Sequence, residues 1–147
     1  MCPFSKRNAS NRFTKMIKIP QHILDSIFRQ AQDELPNETC GLLAGTGNEV
    51  YKRFSMTNTD HSPEHFSFDP SGQFQALRSA RSEGLELIAN FHSHPVTPSL
   101  PFLEDIRLAY DPDILYLILS LAAETPVLKA FRIQNGISDE KTIEIVN

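Results

Sequence analysis

No apolar run in the 147 residues approaches the ~20 needed to cross a bilayer as a helix, so no helical membrane span is expected. Cysteine is scarce. Cys2 and Cys40 make no credible framework, since a bridge between them would tether an N-terminal tail to a buried strand. Both are expected to be free thiols in a reducing cytoplasm. Basic charge is not in excess either: the formal net charge is -4 at pH 7, which argues against a nucleic-acid partner, because phosphate binding needs a concentrated basic face. The sequence contains no Gly-rich phosphate loop, no internal repeat and no low-complexity tract. Residues 1–15 are basic and polar, without the apolar segment of a secretory signal, and are expected to form a disordered leader. The glycosylation-like triplet Asn8-Ala9-Ser10 is therefore read as accidental.

What remains has ordinary globular usage, 40% hydrophobic and 22% charged, and the length of one domain, expected at residues 16–147. Ile17-Lys18-Ile19-Pro20 reads as a short strand. Gln21 to Leu35 reads as an amphipathic helix, with Ile23, Leu24, Ile27, Phe28, Ala31 and Leu35 forming one stripe. Glu38 to Gly45 and Glu49 to Met56 read as a hairpin about the turn Thr46-Gly47-Asn48. Phe66-Ser67-Phe68 alternates as a strand, and Asp69-Pro70 opens a second helix that runs to about Ser82 and buries Phe74, Leu77 and Ala80 before Gly84. A strand ending at His94, a short helix from Phe102 to Tyr110, and strands at Ile114 to Leu121, Pro126 to Ile133 and Thr142 to Val146 complete the pattern. Helices interleaved with strands imply an α/β (α+β) fold with helices on a mixed sheet.

Chemistry concentrates at Asn90-Phe91-His92-Ser93-His94-Pro95. Period-two alternation turns both imidazoles to one side of the strand and Ser93 to the other. Imidazole is a favoured Zn²⁺ ligand, and one further ligand would leave a tetrahedral position for water, as in catalytic sites. The nearest downstream carboxylates are Glu104 and Asp105. They lie about 100° apart on a helix, so only one of them easily ligates. Glu38 is conspicuous as a charge at the start of a buried strand, where an unpartnered carboxylate is costly. Cys40 shares its face and reads as a small packing residue. His22 reads as a surface residue. His61 and His65 have helical metal-pair spacing, but Pro63 lies between them and they read as loop residues.

Taken together, Glu38-Thr39-Cys40-Gly41, His92-Ser93-His94-Pro95 and Asp105 make the chain from about Met16 to Asn147 resemble the JAMM/MPN+ zinc metalloprotease family, in its minimal prokaryotic form. The resemblance implies a cytidine-deaminase-like fold, Zn²⁺ held by His92, His94 and Asp105, and Glu38 as the general base for a metal-activated water. It also implies a substrate: the C-terminal tail of a ubiquitin-like or sulfur-carrier protein, bound as an added strand and cut at a peptide or isopeptide bond. One position departs. Phe102 stands where the family has a serine that donates to the tetrahedral intermediate, and loss of such a donor typically costs ~10²–10³ in rate. Ser99 and Thr97 are the nearby hydroxyls that could substitute, though neither has the family spacing. The alternative is an interaction scaffold of the same fold, zinc-bound or metal-free, with little turnover. A nucleobase deaminase is disfavoured because the His-x-Glu and Pro-Cys-x-x-Cys signature is absent.

Overall fold

The computed structural model describes residues 16–147. The expectations for residues 1–15, Cys2 and the leader among them, lie outside the described residues. Strand β1 (Met16–Pro20) buries Ile17 and Ile19 on one face, and Pro20 caps helix α1 (Gln21–Asp33). The apolar stripe of α1 is buried at Ile23, Leu24, Ile27 and Ala31. The helix ends at Asp33 rather than Leu35, because a residue preceding proline, here Pro36, is pushed out of helical conformation.

Strands β2 (Cys40–Thr46) and β3 (Glu49–Met56) form the expected hairpin, turning at Gly47 with φ of 60°. Helix α2 (Pro70–Ser82) starts where Asp69 accepts a hydrogen bond from the Gly72 amide and closes before Gly84, whose φ is 72°. After it come β4 (Glu86–His94), α3 (Leu103–Arg107), β5 (Leu115–Ser120), β6 (Val127–Gln134) and β7 (Ile137–Val146). Asn135 and Gly136 take φ of 54° and 76° between the last two, the mirror-image turn that suits a two-residue hairpin.

Among the described residues the strands run β1-β3-β2-β4-β5-β6-β7. β4 and β5 are parallel, and most other neighbours are antiparallel. β1 pairs in parallel with β7 along its whole length and with β3 at Lys18 and Glu49, so the sheet closes on itself. The mixed sheet with flanking helices is as expected; the closure is not visible in local patterns. On one face α1 shares a core with Ile17, Ile19, Leu43, Ile88, Phe91, Leu117 and Leu119. On the other face lie Cys40, Leu42, Tyr116, Ile118, Phe131 and Ile133, together with α2 and the segment around α3.

Three local expectations are corrected. Phe66–Phe68 forms no strand, only a bridge between Asn58 and Phe68, because the Asn58 side chain takes the backbone groups a ladder would use, its Nδ2 donating to the His65 carbonyl and its Oδ1 accepting the Ser67 amide. Phe74 is 61% exposed beneath the Arg78 guanidinium, and α2 instead lays Ala76 and Ala80 on the sheet, small residues that allow close approach. Helix α3 is a little over one turn, so the second half of the expected Phe102–Tyr110 helix is irregular.

Candidate metal centre

The site grows out of the pairing between β2 and β4. The register sets Gly41 against Phe91 and Cys40 against His92, which carries Glu38, two residues earlier, to the position facing His94. Ser93 points the other way, as alternation requires. Its Oγ accepts the Thr39 amide at 2.8 Å, while the Ser93 amide donates to the Thr39 carbonyl at 3.0 Å. Gly41 allows this close pairing: a Cβ there would stand 2.2 Å from Cζ of Phe91. Glu38 is held from the far side, its amide donating to Ser62 and its carbonyl accepting from Asn58 Nδ2.

The carboxylate arrives from α3. The Phe102 amide at the helix start donates to Asp105 Oδ2 at 2.8 Å, and the turn brings both carboxylate oxygens to the histidines. Oδ1 lies 3.3 Å from His92 Nε2, and Oδ2 lies 3.3 Å from His94 Nε2. The two Nε2 atoms are 3.2 Å apart. Bonds of 2.0–2.1 Å to a tetrahedral zinc would set donors about 3.3 Å apart, which is the spacing of the two Nε2 atoms from each other and of each from one carboxylate oxygen of Asp105. His94 Nδ1 lies 2.9 Å from the Pro98 carbonyl, the outer bond that fixes a ligating imidazole with its lone pair on Nε2. Glu104 is exposed on α3 and stays outside the group.

The electrostatics differ from one group to the next. For Asp105, burial pushes its pKa upward but is outweighed by the hydrogen bonds from His92 and His94, leaving it well below the usual carboxylate range. Burial works to lower His94 too, yet the Asp105 hydrogen bond and the Pro98 carbonyl leave it raised. His92, fully enclosed, is lowered chiefly by burial, with Asp105 opposing. Glu38 is only 3% exposed, and burial pushes it up to about 8, against the opposing pull of His94. Cys40 is a buried thiol pushed up to about 12 by burial, as fits a packing residue.

Two phenyl rings cover the imidazoles. Phe66 stacks on His92 with centroids 4.6 Å apart, and Phe102 lies almost parallel to His94, also at 4.6 Å and 7°. The Ser99 hydroxyl, buried, donates to the Val127 carbonyl at 2.6 Å, and the Thr97 carbonyl accepts from Ser120 at 2.5 Å. His65 pairs with Asp60 in the loop, and His22 is exposed. Sequence reasoning missed Phe66 as a neighbour of His92. Its aromatic alternation is the available signal, and a strand gives the same alternation.

A closed mixed sheet whose central strand presents His-x-His toward an aspartate from the next helix defines a JAB/MPN-type domain. Residues 20–134 match the family of prokaryotic homologs of the JAB domain, and the chain belongs to it. It is similar to the desampylase of Pyrococcus furiosus, 33% identical over 127 residues, covering 85% of this chain and 88% of that one. It is also similar to the CysO-cysteine peptidase of Mycobacterium tuberculosis, 26% identical over 134 residues, covering 89% and 92%. Among solved structures, protein DSY2949 from Desulfitobacterium hafniense matches with a TM-score of 0.82 and 43% identity, covering 89% of this chain and 93% of that one.

Proposed function

We propose that this chain is a zinc-dependent peptidase that hydrolyses a peptide or isopeptide bond at the C-terminal tail of a ubiquitin-like or sulfur-carrier protein. In this reading His92, His94 and Asp105 hold the ion and Glu38 is the general base. The observation that carries it is the convergence of two imidazole nitrogens 3.2 Å apart with a carboxylate whose two oxygens each lie 3.3 Å from one of them, with a second, buried carboxylate brought opposite His94 by the strand register. The names of the P. furiosus and M. tuberculosis relatives, a desampylase and a CysO-cysteine peptidase, support the substrate class.

Bound there, zinc would supply Lewis acidity toward a carbonyl and a water of lowered pKa. The chain's own contribution is the handling of protons. Glu38 takes the proton from the attacking water and returns it to the departing amine. Burial, which raises its pKa, and positive charge at the ligand group, which lowers it, together place Glu38 near the neutral range where one group serves as both base and acid. Phe66 and Phe102 keep water from the ring faces of the two histidines, so each imidazole is directed through its edge.

The test is zinc stoichiometry and hydrolysis of a fusion bearing a ubiquitin-like C-terminal tail, for wild type and His94→Ala. Wild type should carry about one zinc per chain and cut the fusion, and the variant should do neither. A wild-type protein that takes up no zinc refutes the reading.

One observation favours a second reading, a zinc-holding protein of low turnover. Phe102 occupies the family's serine position, with its ring on His94 and no donor to offer. Under that reading Phe102→Ser raises kcat by ~10²–10³ with zinc content unchanged. An unchanged kcat removes the reading.

A further inference from the structure

The two histidines of the centre are not equally supported. His94 has both ring nitrogens engaged, Nε2 toward the donor group and Nδ1 at the Pro98 carbonyl. His92 has Nε2 in the donor group, but its Nδ1 is buried without a partner. If Nε2 carries the lone pair, Nδ1 carries the proton, and a buried N–H with no acceptor is costly. Phe66 lies on the ring face, so the support must come in the plane of the ring.

Among the described residues, three buried side-chain polar atoms have no partner: His92 Nδ1, Asn90 Oδ1 and Arg132 Nε. Arg132 Nε is a donor and does not serve Nδ1–H. Asn90 Oδ1 is an acceptor, two residues before His92 on β4 and therefore on the same face of the strand. Both residues line one cavity of about 380 Å³, roomy against the ≈ 30 Å³ that a water occupies. Several other polar groups on its wall are already committed. The Tyr116 hydroxyl donates to the Asp111 carbonyl, Ser67 Oγ to Asp60, and Asp105 engages the histidines and the Phe102 amide. Gln73 on α2 is a competing acceptor, as are the largely exposed Tyr110 and Asp111.

We propose that Asn90 is the positioning residue of His92: its amide oxygen accepts the Nδ1 proton, directly or through one water in the cavity, and so holds the tautomer that presents Nε2 to the ion. This rests on the zinc reading of the donor group. The requirement is for an acceptor, not for an amide. Aspartate at position 90 therefore serves as well, and leucine, with the same branching at Cγ but no acceptor, does not.

The test measures the zinc dissociation constant by competition with a chromogenic chelator for wild type, Asn90→Leu, Asn90→Asp and Gln73→Leu. Thermal unfolding of each metal-free variant is followed alongside. Outer-shell partners of ligating histidines are typically worth 10–100-fold in metal affinity. Asn90→Leu should weaken zinc by that factor, Asn90→Asp should stay within about threefold of wild type, and Gln73→Leu should match wild type. ¹⁵N spectra of histidine-labelled, zinc-loaded wild type should show His92 protonated at Nδ1, a readout that needs no variant to fold. Three results overturn the proposal: Asn90→Leu binding as tightly as wild type, Leu and Asp weakening zinc equally, or a His92 unprotonated at Nδ1. A wild type without zinc uptake fails the underlying reading, whereas zinc uptake indifferent to position 90 fails the positioning role alone.

Discussion

Replacing Glu38 by glutamine keeps the size of the side chain and removes its charge, and the structure assigns opposite signs to the consequences for turnover and for stability. Burial holds the Glu38 pKa at about 8 against an ordinary 4.5. The native state therefore keeps a proton that the unfolded chain releases between those two values. Stability associated with Glu38 is full below pH 4.5, falls as pH rises through the interval, and reaches its largest deficit above pH 8. In the metal-free protein that deficit is on the order of 3 kcal/mol at pH 7 and roughly 5 kcal/mol well above pH 8. Glutamine has no proton to lose. Metal-free Glu38→Gln should therefore match wild type at pH 4 in urea unfolding and exceed it by about 3 kcal/mol at pH 7. The same substitution removes the proton acceptor, and hydrolysis should drop by ~10²–10⁴. A stability difference that does not grow from pH 4 to pH 8.5 would refute the burial argument, and undiminished hydrolysis would refute the base assignment.

Hydrolysis by wild type should be lost on acidification from pH 7.5 to about 5, because ligating imidazoles must be neutral and His94, held above its usual pKa, takes up protons early; a flat rate profile over that range would contradict the ligand set. Gly41→Ala forces a Cβ to 2.2 Å from the Phe91 ring and 2.6 Å from the Phe54 carbonyl, and chemical denaturation should show a loss of about 1–3 kcal/mol. Ser93→Ala leaves the buried Thr39 amide without its acceptor, at a cost of about 1–3 kcal/mol. It should also reduce kcat more than zinc affinity, since Glu38 is the next residue along; equal effects on both would place the role of Ser93 elsewhere.

Much of the centre is legible along the chain because its geometry is short-range. A strand alternates with period two, so His92 and His94 share a side whatever the strand pairs with, and Ser93 opposes them. A helix separates neighbours by about 100°, so Asp105 and Glu104 cannot point alike, and Asp105 is the one that meets the histidines. Turn chemistry is equally local, which is why Asp69-Pro70 and Thr46-Gly47-Asn48 mark their boundaries correctly. Burial and partnership are not local. The helical pattern of α2 cannot reveal that the sheet beneath it admits Ala76 and Ala80 and turns Phe74 out to Arg78. Nor does aromatic alternation at Phe66 distinguish a strand from a ring laid over His92.

Residue order by itself determined most of the elements, the candidate donors and the side of the strand from which the two histidines would act, since backbone periodicity and turn propensity need no distant partner. The tertiary structure alone decided that β1 joins β3 to β7, that the β2 to β4 register sets Glu38 against His94, and that His92 and Asn90 share a cavity, each with one buried polar atom unpaired. Those are contacts between segments far apart in the chain, selected by how whole faces pack and what they exclude from water, and no window of neighbouring residues encodes them.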